Sequence, residues 1–298
     1  MALIAMPLSG AAEEVSPARE AEAEGEGFKA RTGPEIRVRV GKRIKTMALE
    51  TYLVGVVSSE AWPKWNLEAL KAQAVASRSF AMRRMLEVGA GGHLKSTVMD
   101  QVYDESRIRP GPAAAVEATR GEVLTYHGEP IRALFHSTCG GRTSAPSQVW
   151  GGVGEEYLVP VKCGYCEISP RFTWELRLPL RKLRRKLARL GLKNGAALEL
   201  LPLDPDEAGR TRWVRLGSGR RAPQVSAQKL RLLLGFDVLR SAIFEARVER
   251  TQVVFTGRGS GHGVGMCQWG AEGMARAGKT YDEILEHYYP RTELRRAY

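Results

Sequence analysis

Several features that would assign a function directly are missing from this 298-residue sequence. It has no run of 18 apolar residues, so we expect no transmembrane helix. The glycine-rich stretch at 257–265 lacks the lysine and the trailing spacing of a phosphate-binding P-loop. The formal net charge is +12, yet no nucleic-acid-binding motif or aromatic stacking stripe accompanies it. We therefore do not expect nucleic acid to be a partner.

The first 34 residues have the composition of a linker. The first 12 end in small residues, like the tail of a signal peptide, but they lack a basic region and most of an apolar core. Residues 13–30 are rich in Glu and Ala and poor in apolar side chains. We interpret 1–34 as a disordered segment or a residual signal and linker, and 35–298 as the folded domain. Export to the cell envelope or periplasm is expected.

The clearest local pattern starts at residue 52. Residues 52–57 are apolar and rich in valine, which predicts a strand. Asn66 is a good helix N-cap, and apolar residues then recur at helical spacing. Small side chains surround Arg78, the only charge at 72–82, which predicts a central helix against which strands pack. An arginine in that position either lines a cleft or forms a buried ion pair.

Glu60 stands at the junction between the predicted strand and the central helix. Trp62 and Trp65 flank it, and it has no basic neighbour before Lys64. Apolar surroundings raise the pKa of a carboxyl group, which suits a general acid. The alternative is an ordinary exposed loop glutamate.

The rest of the chain alternates between strand and helix patterns. Strict apolar alternation predicts a strand at 36–40, and apolar runs around a His-Gly turn predict a hairpin at 123–135. Helices are predicted at 112–119, 271–277 and 281–288. The expected fold class is α+β, with strands packed on the central helix.

Four residues have the spacing of a metal site. His136 and Cys139 are separated by two residues, as are Cys163 and Cys166, which matches a four-coordinate structural zinc centre. Disulfide bonding is the alternative if the protein is exported, and free thiols are a third possibility. We interpret Cys267, which is distant in sequence, as a small buried residue. A four-ligand site leaves no open position for water, so a zinc hydrolase is the weaker interpretation.

The positive charge is concentrated in residues 171–250. This segment holds 19 Lys and Arg residues against 8 Asp and Glu, a net charge of +11. Leucines spaced by three or four residues at 180–190 predict a basic amphipathic helix. We interpret 171–250 as an inserted basic lobe. Its charge either forms a solvated face or attracts an anionic polymer.

His262 stands within a glycine-rich stretch. Glycine permits tight turns and the close approach of a ligand. Few side chains are available to pack around His262, so we expect it to belong to a site, with a structural hydrogen bond as the alternative.

Four segments together resemble the stage II sporulation protein D family. They are Glu60 with the 69–80 stretch, the 136–150 segment with its His-Ser and Gly-Gly-Arg-Thr motifs, the Gly-His-Gly-Val-Gly-Met-Cys-Gln-Trp-Gly-Ala stretch at 261–271, and the Tyr-rich segment at 281–289. The resemblance covers about residues 35–298, in the family's order. The sequence departs from the family at Cys267, where Ser is usual, and at Arg291, where Gly is usual.

The resemblance implies a peptidoglycan lytic transglycosylase, which cleaves the MurNAc–GlcNAc β-1,4 bond and leaves 1,6-anhydro-MurNAc ends. It implies Glu60 as the catalytic acid, and a glycan-binding groove lined by further residues. These are Gln73, Arg78, His136, Ser137, His262 and Gln268. A second branch of the family implies an alternative, a non-catalytic amidase enhancer that activates a cell-wall amidase.

Overall fold

The computed structural model describes residues 33–193, 197–219 and 221–298. Within these ranges the chain forms eight α-helices and fourteen β-strands, which confirms the α+β fold class. The helices are α1 (Leu49–Glu60), α2 (Leu67–Val88), α3 (Pro110–Ala118), α4 (Pro146–Trp150), α5 (Leu180–Leu187), α6 (Ala227–Leu234), α7 (Gln268–Arg276) and α8 (Tyr281–Tyr288). The predicted linker at 1–34 lies outside the described residues, except for its last two positions.

The strands are short and form five small sheets. They are β1 (Glu35–Val40), β2 (Arg43–Ala48), β3 (Leu94–Lys95), β4 (Glu122–Tyr126), β5 (Glu129–Pro130), β6 (Phe135–His136), β7 (Thr173–Pro179), β8 (Leu200–Pro205), β9 (Thr211–Leu216), β10 (Gln224–Ser226), β11 (Ile243–Val248), β12 (Gln252–Arg258), β13 (Met266–Cys267) and β14 (Glu293–Arg296). β1 is central in the sheet β2-β1-β3, and β4 in β14-β4-β5.

The strand predicted at 52–57 was wrong, because these residues lie inside α1. Their side chains are buried on almost every face of the helix, so the sequence shows no polar stripe at helical spacing. A short, uniformly apolar run cannot be assigned to strand or helix by its periodicity.

Helix α2 is the predicted central helix. The Asn66 side chain caps it by accepting a hydrogen bond from the Glu68 N–H (2.9 Å). Its small side chains contribute to two hydrophobic clusters, with Ala72 and Ala76 in one and Ala74 and Ala81 in the other. Small residues on both faces let other elements approach the helix closely, as predicted. No helix in the described ranges is both long and apolar enough to cross a membrane.

Residues from β7 to β12 pack around a hydrophobic cluster of their own. It joins the sheets β11-β12-β7 and β10-β9-β8 with helices α5 and α6. The leucine stripe of the predicted basic helix supplies Leu183 and Leu187 to this cluster. Ser226 caps α6, accepting a hydrogen bond from the Lys229 N–H (3.2 Å).

Candidate active site and thiol cluster

A cleft of about 750 Å³ brings together parts of the chain that are distant in sequence. Its lining comes from six parts of the chain: Glu60 at the end of α1, side chains of α2, the loop at 98–100, β6, α6 and the turn at 261–262. Among the residues predicted from sequence, Glu60, His136 and His262 lie at this cleft.

Glu60 is the last residue of α1, where the chain turns toward α2. The backbone N–H of Val102 donates a hydrogen bond to its Oε1 atom (2.8 Å). Burial raises the pKa of the Glu60 carboxyl group, and hydrogen bonds from Val102 and from the Gln268 side chain only partly offset that effect. A partly buried carboxyl group with a raised pKa retains its proton to higher pH than an ordinary glutamate.

Gln268 forms a hydrogen bond with the backbone of Glu60, and Gln73 forms one with Gln268. The Gln268 Nε2 atom donates to the Glu60 backbone carbonyl (3.2 Å) and to the Gln73 Oε1 atom (3.2 Å). Gln73 in turn donates to the Ser77 hydroxyl (3.0 Å). Both amides are buried, so the structure gives them a role in positioning the end of α1. The sequence prediction had placed them on the wall of the groove.

The cleft holds two other carboxylates, and both are neutralised by arginine. Glu87 forms ion pairs with Arg84 (2.5 Å) and Arg132 (2.7 Å). Asp100 pairs with Arg84 (2.9 Å) and also accepts the Lys95 backbone N–H (2.8 Å). Within the described residues, Glu60 is therefore the one carboxylate of this cleft without an ion pair.

His262 is held as a neutral imidazole. The Val264 N–H donates to its Nδ1 atom (3.1 Å), so its Nε2 atom carries the proton and donates to the Phe135 carbonyl (2.8 Å). Burial, with Arg231 nearby, lowers the pKa of His262 to about 3. A neutral, oriented ring in a cleft wall can contact a substrate without adding charge.

His136 lies beside His262, with ring centroids 5.3 Å apart. Its Nδ1 atom donates to the Val264 carbonyl (3.1 Å), and burial holds its pKa well below the usual range. The Nε2 atom is then an acceptor, and it has no partner among the described residues although it is buried. Such an atom is available to a ligand donor. Ser137 follows it, half-buried, with its hydroxyl 3.4 Å from that of Thr138.

The glycines around His262 allow its loop to lie directly on the strand that carries His136. Gly261 has φ +110°, and a Cβ atom there would lie 2.7 Å from the His136 Cβ atom. Gly259 has φ +76°, and its Cβ atom would lie 2.7 Å from the Thr138 carbonyl oxygen. Both positions require glycine for conformation and for space.

Exposed tryptophans lie beside Glu60 and beside His262. Glu60 also borders a second cleft of about 340 Å³, which Trp62 lines. Trp62 is 62% exposed, and Trp150, on the larger cleft, is 50% exposed with its ring 5.3 Å from that of His262. Exposed aromatic rings of this size are informative, because solvent contact is costly for them. The sequence analysis did not select either as a site residue.

Arg78 does not lie at the cleft. The side chain is fully buried, and its Nε and Nη2 atoms donate to the two carboxylate oxygens of Glu50 (2.9 and 2.8 Å). The Tyr298 hydroxyl and the Gly121 N–H also donate to Glu50. The structure therefore assigns Arg78 to a buried ion pair, the alternative that the sequence analysis left open.

Breaking this ion pair is expected to destabilise the fold. Glu50→Gln leaves the Arg78 charge buried without a counter-charge, which should lower the free energy of unfolding by about 3–5 kcal/mol. Urea denaturation measures the loss. The matched control is Glu105→Gln, which removes an exposed pair with Lys45 and should cost less than about 1 kcal/mol. Equal losses in the two variants would contradict this interpretation.

A second feature behind the cleft is a cluster of four buried cysteines. The Sγ atoms of Cys139, Cys163, Cys166 and Cys267 all lie within 4.8 Å of one another, and all four residues are free cysteines. The parallel pairing of β6 with β13 brings Cys267 to this position. The structure thus places Cys267, and not His136, beside the other three thiols. No spacing rule could select Cys267, because it is far from the other cysteines in sequence.

The donor set of the cluster fits a zinc ion. A tetrahedral zinc–thiolate centre has Zn–S distances of about 2.3 Å, which places its sulfurs about 3.8 Å apart. The Cys139 and Cys166 sulfurs are 3.5 Å apart. A hydrogen bond with Cys139 is the main cause that lowers the pKa of the Cys163 thiol. The hydrogen bond between Cys139 and Cys166 likewise lowers the pKa of Cys166, to about 7. Backbone N–H groups donate to the Cys267 sulfur, but burial raises the pKa of this thiol well above its usual range, so binding a metal would release its proton.

Comparison with known proteins supports the sequence resemblance. The family model described as stage II sporulation protein matches residues 40–126. The chain is 32% identical to stage II sporulation protein D of Bacillus subtilis, over 85% of this chain and 76% of that protein. It is 34% identical to an uncharacterized protein of Brachyspira hyodysenteriae, over 83% of this chain and 66%, just under two thirds, of that protein.

The amidase enhancer of Bacillus subtilis is a longer relative. It is 29% identical over 81% of this chain, and the alignment spans 40% of that protein. The match to stage II sporulation protein D covers most of the chain and so extends well beyond the family model. The chain belongs to the stage II sporulation protein D family.

Proposed function

We propose that the protein is a peptidoglycan lytic transglycosylase in which Glu60 acts first as acid and then as base. The observation that supports this most is the state of the cleft carboxylates. Glu60 has a pKa raised by burial and no ion pair within the described part of the chain, whereas Glu87 and Asp100 are bound by arginines. Hydrolysis of a glycosidic bond ordinarily uses two free carboxylates, one of them to activate water or attack the sugar. A reaction that needs one fits this cleft better.

In the proposed reaction, protonated Glu60 donates its proton to the glycosidic oxygen between MurNAc and GlcNAc. The bond from that oxygen to the muramic acid C1 breaks. The Glu60 carboxylate then takes the proton of the C6 hydroxyl, whose oxygen forms a bond with C1. The products are a 1,6-anhydro-MurNAc end and a free GlcNAc hydroxyl, and Glu60 is protonated again. No water is consumed.

In this proposal the neighbours of Glu60 hold the catalytic carboxyl group and the sugar in place and add no charge. Gln268 and Gln73 hold the end of α1, while the neutral rings of His136 and His262 offer polar contacts to a sugar. The free Nε2 lone pair of His136 can accept a hydrogen bond from a hydroxyl or amide N–H. Trp62 and Trp150 offer flat apolar faces for pyranose rings. Preorganised contacts of this kind orient the bond to be cleaved.

The proposed activity is tested by digesting glycan strands from which the peptides have been removed. Mass spectrometry of the products should show 1,6-anhydro-MurNAc ends, with no incorporation of ¹⁸O from labelled water. Reducing MurNAc ends that carry ¹⁸O would identify a hydrolase instead.

For the thiol cluster we propose a structural zinc ion held by Cys139, Cys163, Cys166 and Cys267. Zinc would supply folding energy by joining the segment that follows β6, the 163–166 turn and β13. The chain's own residues carry the chemistry at the cleft.

A second function, activation of an amidase, is favoured by the similarity to the amidase enhancer. In that case the cleft would bind glycan without cleaving it, and a cell-wall amidase would be the partner. The two proposals differ in one measurement. An activator should stimulate release of stem peptides by an added amidase, and Glu60→Gln should leave that stimulation intact.

For residues 171–250 we propose docking to the anionic polymers of a cell wall, which places the protein outside the cytoplasm. The exposed basic side chains of α5 include Arg181, Lys182 and Arg185. Because charges in water are screened over about 10 Å at 0.1 M salt, binding through them should be sensitive to salt.

Reversing Arg181, Lys182 and Arg185 to Glu should therefore weaken sedimentation of the protein with purified walls, most strongly at low salt. Cleavage of short, peptide-free glycans should change little, since none of the three lines either cleft next to Glu60. Wall binding that is independent of salt would contradict the docking role.

A further inference from the structure

Arg231 is a buried cation to which no described residue supplies a carboxylate partner. It lies on α6, lines the 750 Å³ cleft and is 3% exposed. Its hydrogen bonds go to neutral oxygens: Nε donates to the Leu239 carbonyl (3.0 Å), Nη1 to the Gln228 side chain (3.0 Å) and Nη2 to the Arg240 carbonyl (2.8 Å). No ion pair to Arg231 occurs among the residues that the structure describes. A buried charge without a counter-charge is costly.

The hydrogen-bond count leaves Arg231 with capacity for a ligand. A guanidinium group has five N–H donors, and three of them are used. One N–H therefore remains on each terminal nitrogen. These two nitrogens form the fork that binds both oxygens of a carboxylate. Burial lowers the pKa of Arg231 only to about 10, so the group is charged at neutral pH.

Lys229 adds a second cation to the same wall of the cleft. Its side chain is exposed, and the described residues supply no salt bridge or side-chain hydrogen bond to it. Elsewhere in the cleft the charges are balanced, since Arg84 and Arg132 neutralise Glu87 and Asp100. The cleft thus has an unpaired acid, Glu60, and two cations on α6 without an acidic partner.

We propose that Arg231 and Lys229 form a subsite for a carboxylate carried by the glycan. This inference rests on the proposed function for its glycan ligand and adds a determinant of specificity. Peptidoglycan offers two sources of this carboxylate. One is the lactyl group of a muramic acid whose peptide has been removed, and the other is a stem peptide still attached to the sugar. A glycan of N-acetylglucosamine alone carries neither and would leave both cations unpaired.

Binding tests the subsite separately from catalysis. Calorimetry on the Glu60→Gln protein would compare three tetrasaccharides: peptide-free MurNAc–GlcNAc, the same compound with its lactyl carboxyl groups reduced to alcohols, and the peptide-bearing form. We expect the reduced compound to bind about 10-fold more weakly than the better of the two carboxylate forms, since one charged hydrogen-bonded contact contributes about 1.5–3 kcal/mol. The better carboxylate form identifies the source.

Variants locate the subsite on α6. Lys229→Gln, at an exposed position, and Arg231→Gln should each weaken binding of the preferred carboxylate form and leave binding of the reduced form unchanged. Lys42→Gln, at an exposed position in the turn between β1 and β2 and away from the cleft, is the matched control and should change neither. The inference is overturned if the reduced compound binds as tightly as both carboxylate forms, or if Lys229→Gln weakens all three equally. A protein that binds in this way but yields no anhydro ends would refute the proposed reaction and keep the subsite.

Discussion

Replacing Glu60 with glutamine is expected to reduce the rate of anhydro-end formation by about 10²-fold or more, the usual contribution of general acid–base catalysis. Glutamine keeps the size of the side chain and can still accept the hydrogen bond from Val102, but it cannot donate and recover a proton. Product analysis by mass spectrometry under single-turnover conditions gives the rate directly. Calorimetric binding of the peptide-free tetrasaccharide should change little, which separates the loss of chemistry from a loss of affinity.

A matched control is Glu87→Gln, which changes another carboxylate of the same cleft. Glu87 is held by arginines and its pKa is lowered, so it is not expected to exchange protons in the reaction. Its variant should keep most of the activity. Wild-type production of anhydro ends by Glu60→Gln would refute the acid–base role and favour the amidase-activating function.

The pH dependence of the wild-type reaction follows from the raised pKa of Glu60. The first step needs the protonated carboxyl group, and burial keeps that form populated to higher pH than in an ordinary glutamate. Accordingly, kcat/KM should be constant at acidic pH and fall as the pH rises through the pKa of Glu60. A kcat/KM that rises over this range would indicate that the carboxylate is the form required first.

Much of the fold follows from local sequence signals because these act at short range. Asn66 begins α2 where its side chain accepts a backbone N–H group, as predicted, and Ser226 begins α6 in the same way. Helix α8 was predicted at its observed bounds, 281–288, since its acidic first turn and apolar spacing are independent of the rest of the chain. Helix α1 was missed for the opposite reason. Burial on nearly all faces removes the polar stripe by which a sequence marks a helix.

Site residues could be predicted when their neighbours in sequence distinguish them. They were missed when their role depends on contacts with residues that are distant in sequence. Glu60 could be selected from its apolar neighbours. Arg78 was ambiguous, because the acid that neutralises it, Glu50, is 28 positions away and has no distinctive spacing. The charge on Arg231 could not be related to the cleft, since only the packed structure brings α6 to the same cleft as Glu60.

The thiol cluster gives the second large effect. Purified protein should contain about one zinc ion per chain, and removing it should lower the melting temperature by at least about 10 °C. Structural zinc sites contribute roughly 10–16 kcal/mol of apparent binding energy to folding, and a chain of this size shifts by about 2–4 °C for each kcal/mol lost. Elemental analysis and differential scanning calorimetry, with and without a chelator, measure the two quantities.

Two variants decide between the ligand set of the sequence analysis and that of the structure. Cys267→Ser removes a sulfur from the cluster and should release zinc, whereas His136→Gln should retain it, because the four clustered ligand atoms are all cysteine sulfurs and His136 is not among them. If His136→Gln releases zinc and Cys267→Ser does not, the ligands are those of the sequence analysis, His136, Cys139, Cys163 and Cys166. Absence of both metal and free thiols in the purified protein would instead establish disulfides.

A buried arginine lies beside the cysteine cluster and would compensate part of the charge of an all-thiolate zinc site. Four thiolates around Zn²⁺ carry a net charge of −2, which a buried site tolerates only with compensation. Arg210 supplies part of it, since it is buried and its Nη2 atom donates to the Cys139 carbonyl (3.0 Å). Arg210→Gln should therefore weaken zinc retention against a chelator while leaving all four sulfurs in place. If this variant holds zinc as tightly as the wild type, the site does not carry the charge that four thiolates require.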